Sequence, residues 1–581
     1  MTSCLIVLSM VLASCAPSPT TPTAPTTPTT PTTPTTPTTP TTPTTPTTPS
    51  AEVPQHGGIL RYWRVEQRAF SDQLRGGSSP KHSAQIMEKM MAADWAKGQA
   101  GGYGTGEYEG VTEVVSPLHF SGAFAESWEF VGNDTFIFHI RKGNHWALNP
   151  ASEASRMVGG READAYDAEF TYLRGFGLVP EGTSRALKRP TYAEARLMPE
   201  EQPTSIKALD KWTIEIKGNP ATLGSLFKWT AQSMNMWPPE VLKNFDENDP
   251  ANHVGTGPFM LKEYLPNTGA TFVRNPTYWR TDPVGPGKGN QLPYVDEIRW
   301  FYIPDRSTQM AALRTAKLDH LGERAGLTRE EARSLLNTNP ALQFNAAHRR
   351  GNTIGMRTDN PALPWYDARV RRAMSMAIDR EAIIRDFYGG EADLYTWPVQ
   401  GGPDWISLGL NTPFDQLPAS AREVYTYNPD KAKQLLADAG YPDGFKMELI
   451  LEEDNVDEAS LAKFYLAQIG VEVELAVKES GVFASIEQGR THKEAIWSAT
   501  STPYAWQPFR IEDSNNVSMV DDPLINEALV EFARYFMLDD ASAYPLLGKV
   551  VPHVIEQAYY LPLPAPYSYT VWWPWLKGYS G

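Results

Sequence analysis

The chain is 581 residues long, 41% apolar and 11% aromatic, and it sets 52 basic against 68 acidic side chains for a formal charge of −16. That apolar content supports a sizeable core spread over two or three domains. The acidic balance argues against a nucleic-acid partner, which calls for clustered positive charge, and with Cys4 and Cys15 as the only cysteines the body has no disulfide and no Cys metal site.

From Leu5 to Ser14 the chain reads LIVLSMVLAS, an apolar run of signal-peptide length and about half of what spans a bilayer. It predicts an export signal over residues 1–14. Leu12-Ala13-Ser14-Cys15 resembles a bacterial lipobox, in which small residues admit the signal peptidase and the cysteine thiol takes a diacylglyceryl group. Cys15 is therefore the expected lipidation site. Residues 1–50 hold no Lys, Arg, Asp or Glu, so the basic start of an ordinary signal is missing and a start further upstream stays open. Residues 17–49 repeat Thr-Thr-Pro, which favours an extended polyproline-II chain at about 3.1 Å per residue. Residues 15–50 then form a tether on the order of 100 Å long, with threonines open to O-glycosylation.

Along the body, helices and strands alternate without a fixed repeat, which predicts an α/β or α+β fold in several lobes. Gly57-Gly58 precedes a strand-like Ile59-Leu60-Arg61-Tyr62-Trp63; residues 135–141 and 212–216 read as further strands. Gly102 to Gly106 reads as a flexible surface loop, because no strand precedes it and its spacing is wrong for a dinucleotide fingerprint. Val370 to Phe387 keeps a helical apolar stripe, with Asp379 and Arg380 on its polar side. Asp430 to Ala439 is a second helix, stopped by Gly440 with Pro442 beyond.

Eight ordered segments carry a resemblance to a known family. They include Phe124-Ala125-Glu126-Ser127-Trp128 with Phe138-His139-Ile140-Arg141-Lys142-Gly143, Arg161 to Phe170, Val254-Gly255-Thr256-Gly257-Pro258-Phe259, and Arg274-Asn275-Pro276-Thr277-Tyr278-Trp279. Val370 to Glu381, Ala432 to Asp443 and Trp575 to Tyr579 continue the series. In this order they resemble the bacterial extracellular solute-binding proteins of family 5, which serve dipeptide, oligopeptide and nickel importers. The resemblance implies a bilobal, periplasmic-binding-protein-like α/β fold with two hinge crossings and a small domain inserted in lobe one. Lobe one is expected from 51–84, 204–308 and 540–581, the inserted domain from 85–203 and lobe two from 309–539, with crossings near Pro304-Asp305 and Asp539-Asp540. It also implies capture of a small solute, peptide-like by default, and delivery to a membrane ABC permease by a monomeric protein, which the lipid expected at Cys15 would anchor on the outer face of the cell membrane or facing the periplasm.

No His-Glu-x-x-His, Gly-x-Ser-x-Gly or P-loop motif occurs, and the ten histidines are scattered, with His139 and His145 lacking a helical ligand spacing. No catalytic residue, metal or cofactor is therefore assigned. A tethered hydrolase or glycan-processing enzyme, or a ligand sensor or chaperone, stands as the alternative. A cleft needs flat apolar walls with a few polar groups, and Tyr395, Trp397 and Trp405 sit in a turn-rich stretch that the family resemblance sets at the cleft. Core packing is the competing role for each. In peptide-binding members the tryptophan at Trp497 packs on ligand and an aspartate shortly after it pairs with the α-ammonium; here Thr500 takes the aspartate's place and lacks its charge. Tyr504 and Trp506 follow. Arg357 replaces a family asparagine, and its planar fork suits a carboxylate or phosphate; the alternative is a solvated strand end. Tyr302, just before the expected hinge, completes the set.

Overall fold

The strand Ile59–Arg64 sits near the middle of a seven-stranded sheet, where it pairs in parallel with Glu297–Tyr302 on one side and with His320–Leu321 on the other. A computed structural model describes residues 52–64, 83–108, 116–179, 199–322, 326–348, 351–399, 403–498 and 507–579. Antiparallel strands Gly269–Arg274 and Phe259–Leu265 extend one edge of this sheet, while Ser568–Trp572 and Gln343–Ala347 extend the other. A second sheet of five strands is also mixed. Phe445–Glu452 lies parallel to Val471–Lys478 and Ala495–Ser498, and Thr353–Met356 and Tyr560–Pro562 complete it antiparallel. A third, wholly antiparallel sheet has the order Ala125–Val131, Thr135–Ile140, Thr213–Lys217, Ser205–Asp210.

This grouping departs from the boundaries expected from sequence. His320–Leu321 and Gln343–Ala347 belong to the first sheet although they follow residue 309, and Tyr560–Pro562 belongs to the second although it follows residue 540. The strands Ser205–Asp210 and Thr213–Lys217 likewise join the antiparallel sheet of residues 125–140, beyond the 203 boundary. The chain therefore changes sheet between Gln343–Ala347 and Thr353–Met356, and again between Tyr560–Pro562 and Ser568–Trp572. A two-stranded ribbon, Ala392–Asp393 with Ala565–Pro566, lies beside these passages, and His348 Nδ1 lies 2.6 Å from Asp393 Oδ2 there.

The motif residues fix the frame. Gly255 and Gly257 permit a close approach, since a Cβ on them would meet the Ile86 carbonyl oxygen at 2.0 and 2.6 Å. Buried Asn275 donates from Nδ2 to the Gly257 carbonyl at 2.9 Å and so pins the end of its strand. Fully buried Glu88 accepts from Trp279 Nε1 (3.0 Å), Thr256 Oγ1 (2.9 Å) and Asn144 Nδ2 (3.3 Å). Burial pushes its carboxyl above the ordinary value against these donors. Gly101 is packed rather than free, because a Cβ there would meet the Gly578 carbonyl at 2.3 Å.

The stripe from Val370 to Phe387 is not one helix. It breaks after Ala368–Met376, and Asp379 restarts the chain by accepting from the Ala382 amide at 2.9 Å. Arg380 is buried at 1% exposure, which corrects its expected place on a polar face. Its guanidinium donates to the Pro562 and Ser375 carbonyls and to Ser375 Oγ, each at 2.9 Å. The second helix, Pro429–Asp438, is capped by Asn428 and ends before Gly440 at φ +95°.

Candidate functional site

In an open α/β sheet, ligands bind at the carboxyl ends of the parallel strands. In the seven-stranded sheet those ends carry Arg64 and Tyr302, which are register partners. The Arg64 guanidinium lies 5.0 Å from the Tyr62 ring centroid and 5.3 Å from that of Trp300, a geometry that favours the cation electrostatically. Tyr302 is half-buried and donates its amide to the Thr268 carbonyl at 2.8 Å.

In the five-stranded sheet the corresponding ends are Glu452, Lys478 and Ser498. Ser498 is buried and donates from Oγ to Glu487 Oε1 at 3.2 Å. Glu487 lies on the helix Ser480–Gly489, whose Phe483 packs into the core. Burial, and after it the charge of Glu452, pushes the Glu487 carboxyl up, while the Ser498 hydroxyl pulls it down. The two edges thus offer a guanidinium and a phenol on one side, and a hydroxyl with two carboxylates and an ammonium on the other.

The structure places the sequence candidates unevenly. Trp497 is 2% exposed and its indole Nε1 has no hydrogen-bond partner among the described residues. Trp397 is equally buried, packed 4.5 Å from the Tyr560 ring and 5.6 Å from Phe509, and its carbonyl accepts from Tyr425 Oη at 2.9 Å. Trp405 is buried against Tyr544. Tyr395 lies between Phe414 and Tyr425, its hydroxyl without a hydrogen-bond partner among the described residues and its pKa held above the ordinary value by burial. These four rings therefore take the core-packing role. Arg357 is engaged: its fork grips Asp359 at 2.9 and 2.6 Å and donates to the His492 carbonyl at 3.0 Å. That occupancy replaces the anion clamp with a local ion pair. Thr500, Tyr504 and Trp506, and Cys15 at the other end of the chain, lie outside the described residues.

Arg64 and Glu487 are the edge residues that sequence reading passed over. A lone arginine ending a strand has no motif, although the Ile59–Trp63 strand prediction itself marked where it would emerge. Glu487 is brought to Ser498 only by the turn of the helix before it. Among the described residues no group of three or more His, Cys, Asp or Glu side chains is arranged to hold a metal ion.

The family model for bacterial extracellular solute-binding proteins, family 5 (middle region), matches residues 119–513. The chain belongs to this family. It is 26% identical over 373 residues to heme-binding protein A of Haemophilus influenzae, covering 60% of each protein. It is also 26% identical over 279 residues to the glutathione-binding protein GsiB of Salmonella typhimurium, covering 46% of this chain and 49% of that one. The matched region thus spans between about half and three fifths of those relatives' length. Among solved structures, the periplasmic binding protein DppA of Helicobacter pylori, in complex with the peptide STSA, superposes with a TM-score of 0.63 at 20% identity over 89% of this chain and 94% of that one. The fold of this family-5 member is accordingly that of the periplasmic binding proteins, and none of its described helices is long and apolar enough to cross a membrane.

Proposed function

We propose that this protein is the solute-capturing component of an ABC importer. A peptide-like or other organic solute binds between the seven-stranded and five-stranded sheets, and the two sheets then close about the points where the chain changes from one to the other. The closed form delivers its cargo to a membrane permease. The observation that carries this reading is the pairing of two mixed sheets, each ending its parallel strands in polar side chains, in a chain of solute-binding family. Closure follows from a solute's higher affinity for the closed state. Capture without turnover is the activity, and a monomer suffices for it.

Arg64 and Tyr302 on one edge, and Ser498 with Glu487 on the other, are the proposed polar contacts, with Thr500, Tyr504 and Trp506 following directly from the second edge. Trp497, Trp397, Trp405 and Tyr395 shape the wall behind them. Heme, glutathione and a tetrapeptide, the ligands that name the relatives and the solved complex, are all organic acids, which suits the guanidinium of Arg64. The N-terminal segment is proposed to export the chain, anchor it by lipid at Cys15 and hold the body off the outer face of the membrane.

The test is a thermal-melting screen of residues 51–581 against short peptides, glutathione, haem, oligosaccharides and nickel chelates, with mass spectrometry of the recovered compound. One class should raise the melting temperature and return unaltered; at 100-fold excess over Kd the stabilisation is about 2.7 kcal/mol. A compound returned cleaved would transfer the case to the hydrolase alternative, and a flat response to every class removes the proposal.

A further inference from the structure

Where the chain changes from one mixed sheet to the other, a third segment is fastened beside it. Glu391, Ala392 and Asp393 belong to neither change of sheet. They leave the five-stranded body after the helical turn Ile383–Phe387 and rejoin it at Trp397, which is buried against Tyr560. On the way, Ala392 and Asp393 pair antiparallel with Pro566 and Ala565, and the Tyr567 amide donates to the Glu391 carbonyl at 3.1 Å. The Asp393 carboxylate grips both changes of sheet: Oδ2 lies 2.6 Å from His348 Nδ1, and Oδ1 accepts from Tyr567 Oη at 3.4 Å. His348 is the first residue past Gln343–Ala347, and Tyr567 is the last before Ser568–Trp572. Their rings meet edge to face with centroids 4.9 Å apart.

Glu391 reaches further into the seven-stranded body. It accepts from Tyr569 Oη on Ser568–Trp572, and it pairs at 3.1 Å with Arg329 Nε of the helix Arg329–Thr338, which packs against that strand. On the other side of the ribbon Thr396 is buried, and a Cβ on Gly351 would meet its hydroxyl at 2.3 Å and the Leu563 carbonyl at 3.1 Å. The Leu563 amide in turn donates to the Asn352 carbonyl at 2.9 Å. Both changes of sheet and the third segment are therefore in mutual contact.

We infer that Glu391–Asp393 is a third strand of the hinge and that Asp393 is its positioning residue. The inference rests on the capture reading, in which the two sheets close about this joint. Two covalent links hold the sheets together but leave them free to twist as well as close, since a single chain resists neither motion. A third segment bonded to both links removes the twist and leaves one axis. Its contacts need not break on closure, because they lie at the joint, where displacement is least. Confinement to one axis also serves affinity. A loosely joined open form has more freedom to lose when a solute closes the cleft, and that loss is subtracted from binding.

Residues 51–581 form one compact unit and contain no cysteine, so a dye pair can be placed at Leu265→Cys and Phe464→Cys, both exposed. The first ends the strand Phe259–Leu265 at the edge of the seven-stranded sheet away from the joint. The second lies on the helix Val456–Ala467, which packs against the outer strand Val471–Lys478 of the five-stranded sheet. Single-molecule energy transfer reads the spread of distances without solute and with the class that raises the melting temperature, and urea unfolding of the same proteins reads stability. Asp393→Ala should widen the spread without solute and weaken solute binding on the order of three- to tenfold, while the solute-bound distance keeps its wild-type value. Asp393→Asn and Tyr567→Phe should do the same to a smaller degree, and they carry the test where Asp393→Ala does not fold. Asp386→Asn, which removes half of an exposed ion pair with Arg385 on the preceding turn, should change neither quantity. Wild-type spread and affinity in the folded Asp393 and Tyr567 variants overturn the inference, whatever their urea stability, and assign the cluster to holding the fold. A chain that binds a solute at one unchanging distance overturns the third strand and leaves capture standing. A chain whose melting no solute class raises removes capture, and the third strand with it.

Discussion

Arg161, beside the four-stranded sheet, meets two carboxylates; Arg380, beside the five-stranded sheet, meets none among the described residues. Both come from motif segments that resemble each other in sequence, a charged residue set among alanines at a helix entry. Arg161 grips Asp167 at 2.6 and 2.8 Å and Glu240 at 2.8 and 2.9 Å, and Asp167 also accepts from Trp146 Nε1 at 3.0 Å. Burial works against the Arg161 charge, but the hydrogen bonds to Asp167 and Glu240 outweigh it and hold its pKa above the ordinary range. Arg380 has carbonyls and one hydroxyl as acceptors, with the Tyr425 ring centroid 5.0 Å away. Burial accordingly lowers its pKa to about 10. One arginine is held by opposite charge; the other is held by dipoles and ties a helix end to the Tyr560–Pro562 strand of the five-stranded sheet.

The comparison breaks most visibly at Arg161. Arg161→Met leaves Asp167 buried at 2% exposure without its cation, a class of change that costs about 3–5 kcal/mol. Unfolding in urea at pH 7 should show a loss of that order. Burial already holds the Asp167 carboxyl above the ordinary value against the pull of Arg161, and losing that cation raises it further, so the deficit is greatest at neutral pH and shrinks as acid protonates the carboxyl. Asp167→Asn, which removes the charge and keeps an acceptor for Trp146, should cost less.

Arg380→Met is the counterpart with the smaller expected effect. It strips donors from buried carbonyls, at about 1–3 kcal/mol for the unsatisfied groups, but it also removes a desolvated charge. A net loss of about 2 kcal/mol is expected. No carboxylate is stranded, so the loss should be the same at pH 5 and pH 8. A pH-dependent deficit at Arg380, or a flat one at Arg161, would erase the distinction between the two sites.

The contrast also marks what the sequence made readable. Period-two runs gave the strands Thr135–Ile140 and Thr213–Lys217 directly, and the glycine stop gave the end of Pro429–Asp438. The burial of Arg380 was hidden, because a charge beside an apolar stripe looks solvated until the carbonyls that surround it are known. The sheet boundaries were hidden for a different reason. His320–Leu321 has two residues and Gln343–Ala347 alternates weakly, and both pair with Ser568–Trp572, more than 200 residues along the chain. Such pairing is set by long-range register rather than by local pattern. At the candidate site, the aromatic stretch around Trp397 was found but its side chains turn inward, whereas Arg64 was marked only by the strand that ends on it and Glu487 left no local signal.

Arg357 extends the comparison to the surface and carries the smallest expected effect. Like Arg161 it holds a carboxylate with both arms of its fork, but Arg357 and Asp359 are 25% and 40% exposed, and water screens an exposed pair to within about 1 kcal/mol. The hydrogen bonds from Arg357 hold the Asp359 carboxyl below the ordinary value against its partial burial, and the Arg357 charge adds to them. That stabilisation is present above the ordinary carboxylate pKa and is lost as pH falls through the depressed one. Arg357→Gln should therefore lower stability slightly at pH 7 and not at all in strong acid. Because the fork is already filled by Asp359 and the His492 carbonyl, the same variant should leave the solute-induced rise in melting temperature unchanged. A lost solute response with stability intact would return Arg357 to the binding site and show that Asp359 gives way to a ligand anion; an unchanged response confines Arg357 to holding the strand end.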